Sequence, residues 1–472
     1  MRRLLLWFKQ DLRLDDHPAV RAALEADRVL PVFILDPAWL QVTAFGTRAL
    51  GVHRAGFLLE SLQALDVELR RRGSNLLVLH GQAERLIPEL VARLGLTGVV
   101  TLEEIVPDQR ERVAAVQRAL GGVPLQCLDD NGLLRAEELP WLPHRVPVVF
   151  SHFRAALEQR VQVFQPEPAP DRLPALPEGS EAWLQPLPVL AQLGLGEPVM
   201  IPNSGFPFAG GEAAAQARLR DYLWQGQGVQ DYLVSQEHVS AETSSKLSPW
   251  LAHGCLSPRR VAADLRRYES QYGRSEATQG FWSALLWREF FRWTLRRHGN
   301  ALFQPAGVKA TARAPRNLDE RYVRWCQGRT GMPLVDACMR ELSATGYLTA
   351  RARQVAASYL VIDLQQDWRH GAAWFAEHLI DHEEASNWGN WAFLAGVAAD
   401  PRRRQGFNAL RQARRFDPDA AYVSLWLPEL RALPAALRHS PFQLSALQLD
   451  AMGYPRLERI PEAWQPYLSE AA

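Results

Sequence analysis

A chain of 472 residues, 47 % hydrophobic and 22 % charged, carries enough apolar material for two or three packed domains and is not the composition of a disordered chain. Its formal net charge of +1 gives no global sign of nucleic acid, so any basic surface has to be local. Four cysteines, Cys127, Cys255, Cys326 and Cys338, stand far apart without CxxC or Cys/His spacing, which argues against a zinc site or disulfide framework and suits a reducing compartment.

The start, Arg2, Arg3 and the apolar run 4–8, has the look of a signal peptide, but Lys9 ends the run after five residues, too few for a signal core. No run approaches a transmembrane length, so a cytoplasmic protein without membrane contact is expected. Short apolar runs then recur at βα spacing: 4–8, 29–35, 76–79, 99–102 and 125–128 read as buried strands. Helical patterns lie between them, for example Phe57, Leu58, Leu62, Leu65 and Leu69, and the stretch 83–94. Strands alternating with helices predict a parallel, doubly wound α/β domain over 1–130. No GxGxxG occurs, so the dinucleotide fingerprint is missing.

Over 131–208 the pattern dissolves into a proline-rich linker, with short helix expected at 132–142 and 151–160. From 209 to 472 helical periodicity takes over and predicts a larger all-α domain. Phe281–Arg297 places Trp282, Leu285, Leu286, Phe290 and Trp293 on one face; further helices are expected over 333–342, closed by Gly346, and over 351–364 and 372–380. Twelve of the sixteen tryptophans fall at Trp224 or later, which suits either a thick aromatic core or a domain that stacks planar ligands and handles electrons.

Three features of the helical half carry chemistry. Asp381-His382-Glu383-Glu384-Ala385-Ser386-Asn387-Trp388-Gly389-Asn390-Trp391 mixes acids, amides, glycine and two tryptophans directly after an apolar helical pattern. It reads either as a helix-connecting loop with anchoring tryptophans or as the wall of a polar cofactor pocket. Ser244-Ser245-Lys246-Leu247-Ser248-Pro249 is a hydroxyl-rich turn opening a helix. Ser248 as N-cap and Pro249 at the first helical position account for part of it; the remaining hydroxyls, the lysine and the free N–H groups can hold a pyrophosphate. Arg353, on an otherwise apolar helix, would need a carboxylate if buried, and Asp381 is the candidate. Trp368 and Trp391 are core residues unless a redox cofactor lies beside them. The segment 401–416 holds six arginines and no acid.

With these residues in view, the chain resembles the photolyase/cryptochrome flavoproteins, nearest the cryptochrome DASH branch. Trp7-Phe8-Lys9-Gln10-Asp11-Leu12-Arg13-Leu14-Asp15-Asp16-His17-Pro18 is similar to the family's opening motif. Trp287-Arg288-Glu289-Phe290-Phe291, Gly331-Met332-Pro333-Leu334-Val335-Asp336-Ala337, Ser386-Asn387-Trp388-Gly389-Asn390-Trp391 and Trp426-Leu427-Pro428-Glu429-Leu430 continue the likeness. The resemblance implies a photolyase-like antenna domain over 1–130 and an FAD-binding helical domain over 209–472. It implies that Tyr232, Ser244, Ser245, Lys246, Leu247 and Ser248 hold the phosphates and ribose of FAD. Arg353 would pair with Asp381 near the ring, with His382 and Glu383 alongside, and Asn387 would accept a hydrogen bond from the flavin N5–H. Trp391 and Trp368 match the inner members of an electron relay. Trp287, Arg288, Arg351, Phe393, Arg402 and Gln412 would face DNA, single-stranded in preference, in a monomer. An antenna pterin or folate such as methenyltetrahydrofolate would find candidate contacts in Glu103, Glu104, Glu137 and Glu138; solvated acids are the other reading of those four.

Four departures stand against the family pattern. Ala284 occupies the position of the glutamate of repair enzymes, Ala350 that of the pocket asparagine, Pro315 roughly that of the outermost relay tryptophan, and Phe393 that of a tryptophan or tyrosine. Three functions follow from these residues: a DASH-type deoxyribodipyrimidine photo-lyase acting on single-stranded DNA, a blue-light receptor with little repair, or a DNA-binding flavoprotein whose light response is incidental. Two polar groups of a buried substrate edge left unpaired cost about 1–3 kcal/mol each, so Ala284 and Ala350 disfavour repair.

Overall fold

The structure is a computed structural model that describes residues 1–128, 131–160, 165–198, 206–226, 228–240, 244–309, 318–400, 408–460 and 464. Five strands, β1 (Arg3–Phe8), β2 (Arg28–Leu35), β3 (Leu77–His80), β4 (Gly98–Leu102) and β5 (Leu125–Leu128), form one parallel sheet in the order β3-β2-β1-β4-β5. Both faces are covered along β1 to β4, which is why those strands read as apolar runs; β5, at the sheet edge, has no buried residue and exposes Gln126 and Cys127, so the expectation of a buried strand over 125–128 does not hold. Leu5 and Trp7 of β1 point into a core closed by α3 (Ala83–Leu94) and α4 (Pro107–Ala119). Leu4, Leu6 and Phe8 point the other way, toward α1 (Pro18–Ala23) and α2 (Val52–Arg71). That second core runs without interruption into the helical half, reaching Trp250, Trp282 and Trp391.

The linker contains α5 (Phe150–Glu158), close to expectation, but over 132–142 only a single 3-10 turn, Ala136–Glu138. The helical half includes α6 (Glu212–Arg220), α7 (Tyr232–Ser235), α8 (Ser248–Ala252), α9 (Pro258–Tyr272), α10 (Glu276–His298), α11 (Glu320–Cys326), α12 (Pro333–Thr345), α13 (Ala350–Ser358), α14 (Trp368–His378), α15 (Glu384–Leu394), α16 (Ala409–Phe416) and α17 (Ala421–Trp426). The helix expected over 351–364 changes at Ser358 into a π-turn, Tyr359–Asp363. The 23-residue α10 is its spine: Ser275 accepts from Thr278 N–H at its start, and Arg296, Arg297 and His298 complement the dipole at its end.

The opening motif bolts the two halves together. Arg13 donates to the Gly254 carbonyl at 2.9 Å, Arg260 grips Asp15 through two nitrogens at 2.9 and 2.6 Å, and Glu212 accepts the Leu14 and Asp15 N–H groups at 2.7 and 3.1 Å. Gly254 has φ +68, and a Cβ there would lie 2.1 Å from the Gln10 carbonyl oxygen, so the close approach of the halves requires glycine. This docking holds the C-terminal ends of the strands against the residues that begin at Asp381.

Candidate flavin site and nucleic-acid face

Asp381 lies between α14 and α15, with its side chain 1 % exposed. One carboxylate oxygen accepts from the Ser248 hydroxyl at 2.5 Å and from the Arg353 guanidinium at 2.7 Å. Arg353 also donates twice to the Leu348 carbonyl, at 3.0 and 2.9 Å, and its guanidinium stands 5.7 Å from the Tyr347 ring. Burial works against the Arg353 charge, but the adjoining Asp381 carboxylate outweighs it and raises the guanidinium pKa above its ordinary value. The expectation that Ser248 caps α8 gives way: Leu247 is the cap residue, and the Ser248 hydroxyl is spent on Asp381. Ser257, by contrast, caps α9, accepting from Arg259 and Arg260 N–H.

The second Asp381 oxygen, Oδ1, is buried and has no hydrogen-bond partner among the described residues. A buried carboxylate oxygen without a donor is costly, and a flavin, with N–H groups on its ring and hydroxyls on its ribityl chain, is rich in donors. On this observation the residues fit FAD. The loop before α8 fits as well. Arg218 of α6 donates to the carbonyls of Ser244 and Ser245 at 2.8 and 2.9 Å, which pins the loop backbone. Lys246 holds a left-handed backbone at φ +53, a conformation rare for a side chain of its size. Tyr232 packs its ring edge-on against Phe281 at 5.7 Å.

Around Asp381 the charges are sorted. Burial and the neighbouring Arg54, Arg353 and His253 hold the His382 pKa well below the usual imidazole range, so the ring is neutral. Burial alone would raise Glu383, but Arg288 at 2.7 Å and Arg292 at 2.9 Å bring its carboxyl below the usual range. Asn387, half-buried on α15, donates its amide to the Ala372 carbonyl at 2.9 Å. That bond orients the side chain and leaves its oxygen to act as an acceptor. Arg218 and Tyr347, both part of this arrangement, went unnoticed in the sequence.

The likeness to known proteins decides the family. Residues 4–175 match the family profile described as DNA photolyase, and residues 281–462 match that for the FAD binding domain of DNA photolyase. The chain is 40 % identical to the cryptochrome DASH of Gloeobacter violaceus over 95 % of this chain and 90 % of that one. It is 36 % identical to the cryptochrome DASH of Synechocystis sp., over 96 % and 94 %. The crystal structure of Synechocystis sp. PCC6803 cryptochrome superposes with a TM-score of 0.92 at 33 % identity, covering 100 % of this chain and 98 % of that one. A bacterial class III photolyase from Agrobacterium tumefaciens gives 0.84 at 27 % identity, covering 100 % and 97 %. This chain belongs to the photolyase/cryptochrome family.

The parts of this photolyase/cryptochrome chain expected to meet DNA are placed unevenly. On α10 Ala284 is exposed, and half-buried Trp287 stacks on Phe150 of α5, centroids 3.7 Å apart at 12°. Phe393 of α15 stands 6.0 Å from Trp287 at 62°, so the two rings converge. Ala350 is exposed at the start of α13. Arg288 differs from its expected role: its side chain is 12 % exposed and donates to Glu383 and the Leu251 carbonyl, so the guanidinium serves the interior. Arg351 pairs with Glu237 at 2.5 Å and lies over the Phe416 ring. Gln412 is half-buried on α16, whose Arg411 and Arg415 are exposed; Arg402 and Pro315 lie outside the described residues.

Trp391 and Trp368 are 2 % and 3 % exposed. Gly371 of α14 lets Trp391 lie flush against that helix; a Cβ at Gly371 would come within 2.3 Å of the indole. Among the described residues no helix is long and apolar enough to cross a membrane, and no group of three or more His, Cys, Asp or Glu is placed to hold a metal ion.

Proposed function

We propose that this family member is a blue-light-absorbing FAD flavoprotein that binds DNA in the manner of a cryptochrome DASH and repairs cyclobutane pyrimidine dimers weakly. The observation that carries the flavin site is the Asp381 carboxylate, held by Ser248 and Arg353 on one oxygen and buried without a donor on the other among the described residues. FAD, when bound, supplies a light-driven one-electron donor. Tyr232, Ser244, Ser245, Lys246, Leu247 and Ser248 hold its phosphates and ribose; Arg353 and Asp381 fix the ring, flanked by His382 and Glu383. The oriented Asn387 oxygen accepts from N5–H and favours the reduced ring. Trp391 and Trp368 deliver electrons from within the protein.

DNA phosphates meet the basic face of α16 with Arg351, Gln412 and the arginine-rich segment that includes Arg402, giving affinity that falls as salt rises. Trp287 and Phe393 offer stacking faces to a base turned out of the helix. Ala284 and Ala350 offer no hydrogen bond to its edge, a loss of about 1–3 kcal/mol at each position. The test is dimer repair in single-stranded DNA under blue light. Binding with little repair is expected; efficient repair by the unmodified protein would return it to the active deoxyribodipyrimidine photolyases.

A second chromophore has support from a crevice whose lining takes in one of the four acids named in the sequence, Glu104. Glu103 is bound to Arg296 at 2.9 Å, Glu138 to Arg259 at 3.0 Å, Glu104 to Lys9 at 3.1 Å, and Glu137 is exposed. A crevice open to solvent lies at the C-terminal ends of β1, β2 and β4, where the strand order reverses and ligands of such sheets collect. Trp7, Trp39, Arg54, Glu104, His382 and Glu384 are among its lining residues. It suits a planar heteroaromatic antenna, a pterin or a flavin. An archaeal photolyase from Sulfolobus tokodaii, 26 % identical with a TM-score of 0.79, is described with two FAD molecules. Denaturing the purified protein and identifying the released chromophores tests this assignment.

A further inference from the structure

We propose that the outward electron path from Trp391 runs through Trp325 to Tyr322, with the His370 side chain taking the phenolic proton. This rests on the flavin reading above. Trp325 meets Trp391 edge to face, centroids 6.2 Å apart at 81°, and stacks with Tyr322 at 6.1 Å and 23°. Tyr322 in turn meets the His370 ring at 5.8 Å. Tyr322 and Trp325 are three residues apart on α11 and so share a face; α15 supplies Trp391 and α14 supplies His370. The three donor rings are 2 %, 0 % and 8 % exposed, in the order Trp391, Trp325, Tyr322. The relay expected from the family pattern lacks its outer end, because positions 310–317 contain no tryptophan, tyrosine or phenylalanine.

The chemistry of each link directs the charge outward. An electron leaving Trp391 reduces the flavin by one and leaves Trp391 as a radical cation. Trp325 refills it and becomes the radical cation. The Trp325 indole N–H donates to the Ala356 carbonyl at 3.0 Å inside the core, and a backbone carbonyl is no base, so the charge is not discharged there by loss of a proton. Tyr322 then gives one electron to Trp325. Burial pushes the Tyr322 phenol pKa far up, so the electron cannot come from a phenolate and the proton has to leave with it. His370 receives that proton. Burial holds its imidazole below the ordinary range and therefore neutral, and its Nδ1 is buried without a partner among the described residues. The Tyr322 hydroxyl is already directed at His370, donating to its carbonyl at 3.3 Å. The nearby Asp367 carboxylate favours the imidazolium that forms, opposed by Arg369, which is paired with it at 2.7 Å. The balance is one electron on the flavin, a neutral tyrosyl radical and an imidazolium.

The experiment compares wild type with Trp325→Phe and Tyr322→Phe. Flavin bleaching under blue light and the radical identified by electron paramagnetic resonance are the readouts, with flavin content checking that each variant folds. Wild type should yield a neutral tyrosyl radical that disappears in Tyr322→Phe. Trp325→Phe should lose that signal and bleach more slowly. Wild-type behaviour in Trp325→Phe overturns the path. Purified wild type without flavin overturns the flavin reading and this path with it; bound, photoreducible flavin without a tyrosyl radical overturns the path alone.

Discussion

Asp381→Ala removes a carboxylate that two partners share. Ser248 loses its acceptor at 2.5 Å, and Arg353 loses its counter-charge at 2.7 Å. Deleting one partner of a buried ion pair costs about 3–5 kcal/mol, because the other charge stays behind. The Arg353 side chain is 28 % exposed and keeps two bonds to the Leu348 carbonyl. Solvent and that carbonyl reduce the penalty, so the flavin-free protein should lose about 2–3 kcal/mol. Flavin retention should fall further, because the substitution also deletes Oδ1, the acceptor for which the pocket offers no donor among the described residues. Urea unfolding of the flavin-free variant gives the first quantity, and the flavin-to-protein absorbance ratio after purification gives the second. Asp381→Asn, which keeps an acceptor but not the charge, should fall between wild type and alanine. An alanine variant with a full complement of flavin and an unchanged unfolding midpoint would refute the pairing.

Trp391→Phe should slow flavin photoreduction severely at unchanged flavin content; an unaltered bleaching rate would show that electrons enter elsewhere. Ala284→Glu with Ala350→Asn should raise repair of thymine dimers under blue light, and no gain would mean that other groups decide the weak repair. Arg415→Gln should weaken DNA binding and lower the dependence of log affinity on log salt by about one unit, an effect missing if α16 does not face phosphates. Glu341, buried beside the Tyr422 hydroxyl, has its pKa raised by burial to about 8 from 4.5. Between these values the folded state binds the extra proton, so this residue's contribution to stability falls as pH rises through the window. Glu341→Gln should remove that slope and be more stable than wild type above pH 8 by up to about 5 kcal/mol, with little difference in acid; parallel profiles would refute it.

The α/β half was legible because β1 to β4 are buried on both faces and spell apolar runs, whereas β5 was misjudged because an edge strand need not be buried; the stretch 83–94 became α3 with the same ends. The Arg353–Asp381 pair was legible because a buried arginine needs a carboxylate, and one stood in a motif of polar residues. Ser248 was misread because local rules see only its fitness as a cap, whereas its partner is 133 residues away. Arg288 was misread for the same reason: Glu383, 95 residues on, draws it inward, and nothing near Arg288 in the chain announces it. The stacking of Phe150 on Trp287 joins the linker to α10 across a gap that no periodicity spans. Arg218, which pins the Ser244–Ser245 backbone, looked like any basic residue near a helix end.

The most direct test of the account is the absorption spectrum of the purified protein, recorded in the dark and again after blue light. Wild type should show an oxidised flavin spectrum that bleaches on illumination, and in Trp391→Phe that spectrum should persist. A protein that purifies without flavin, or whose bound flavin is unchanged by blue light in the presence of a thiol reductant, would contradict it.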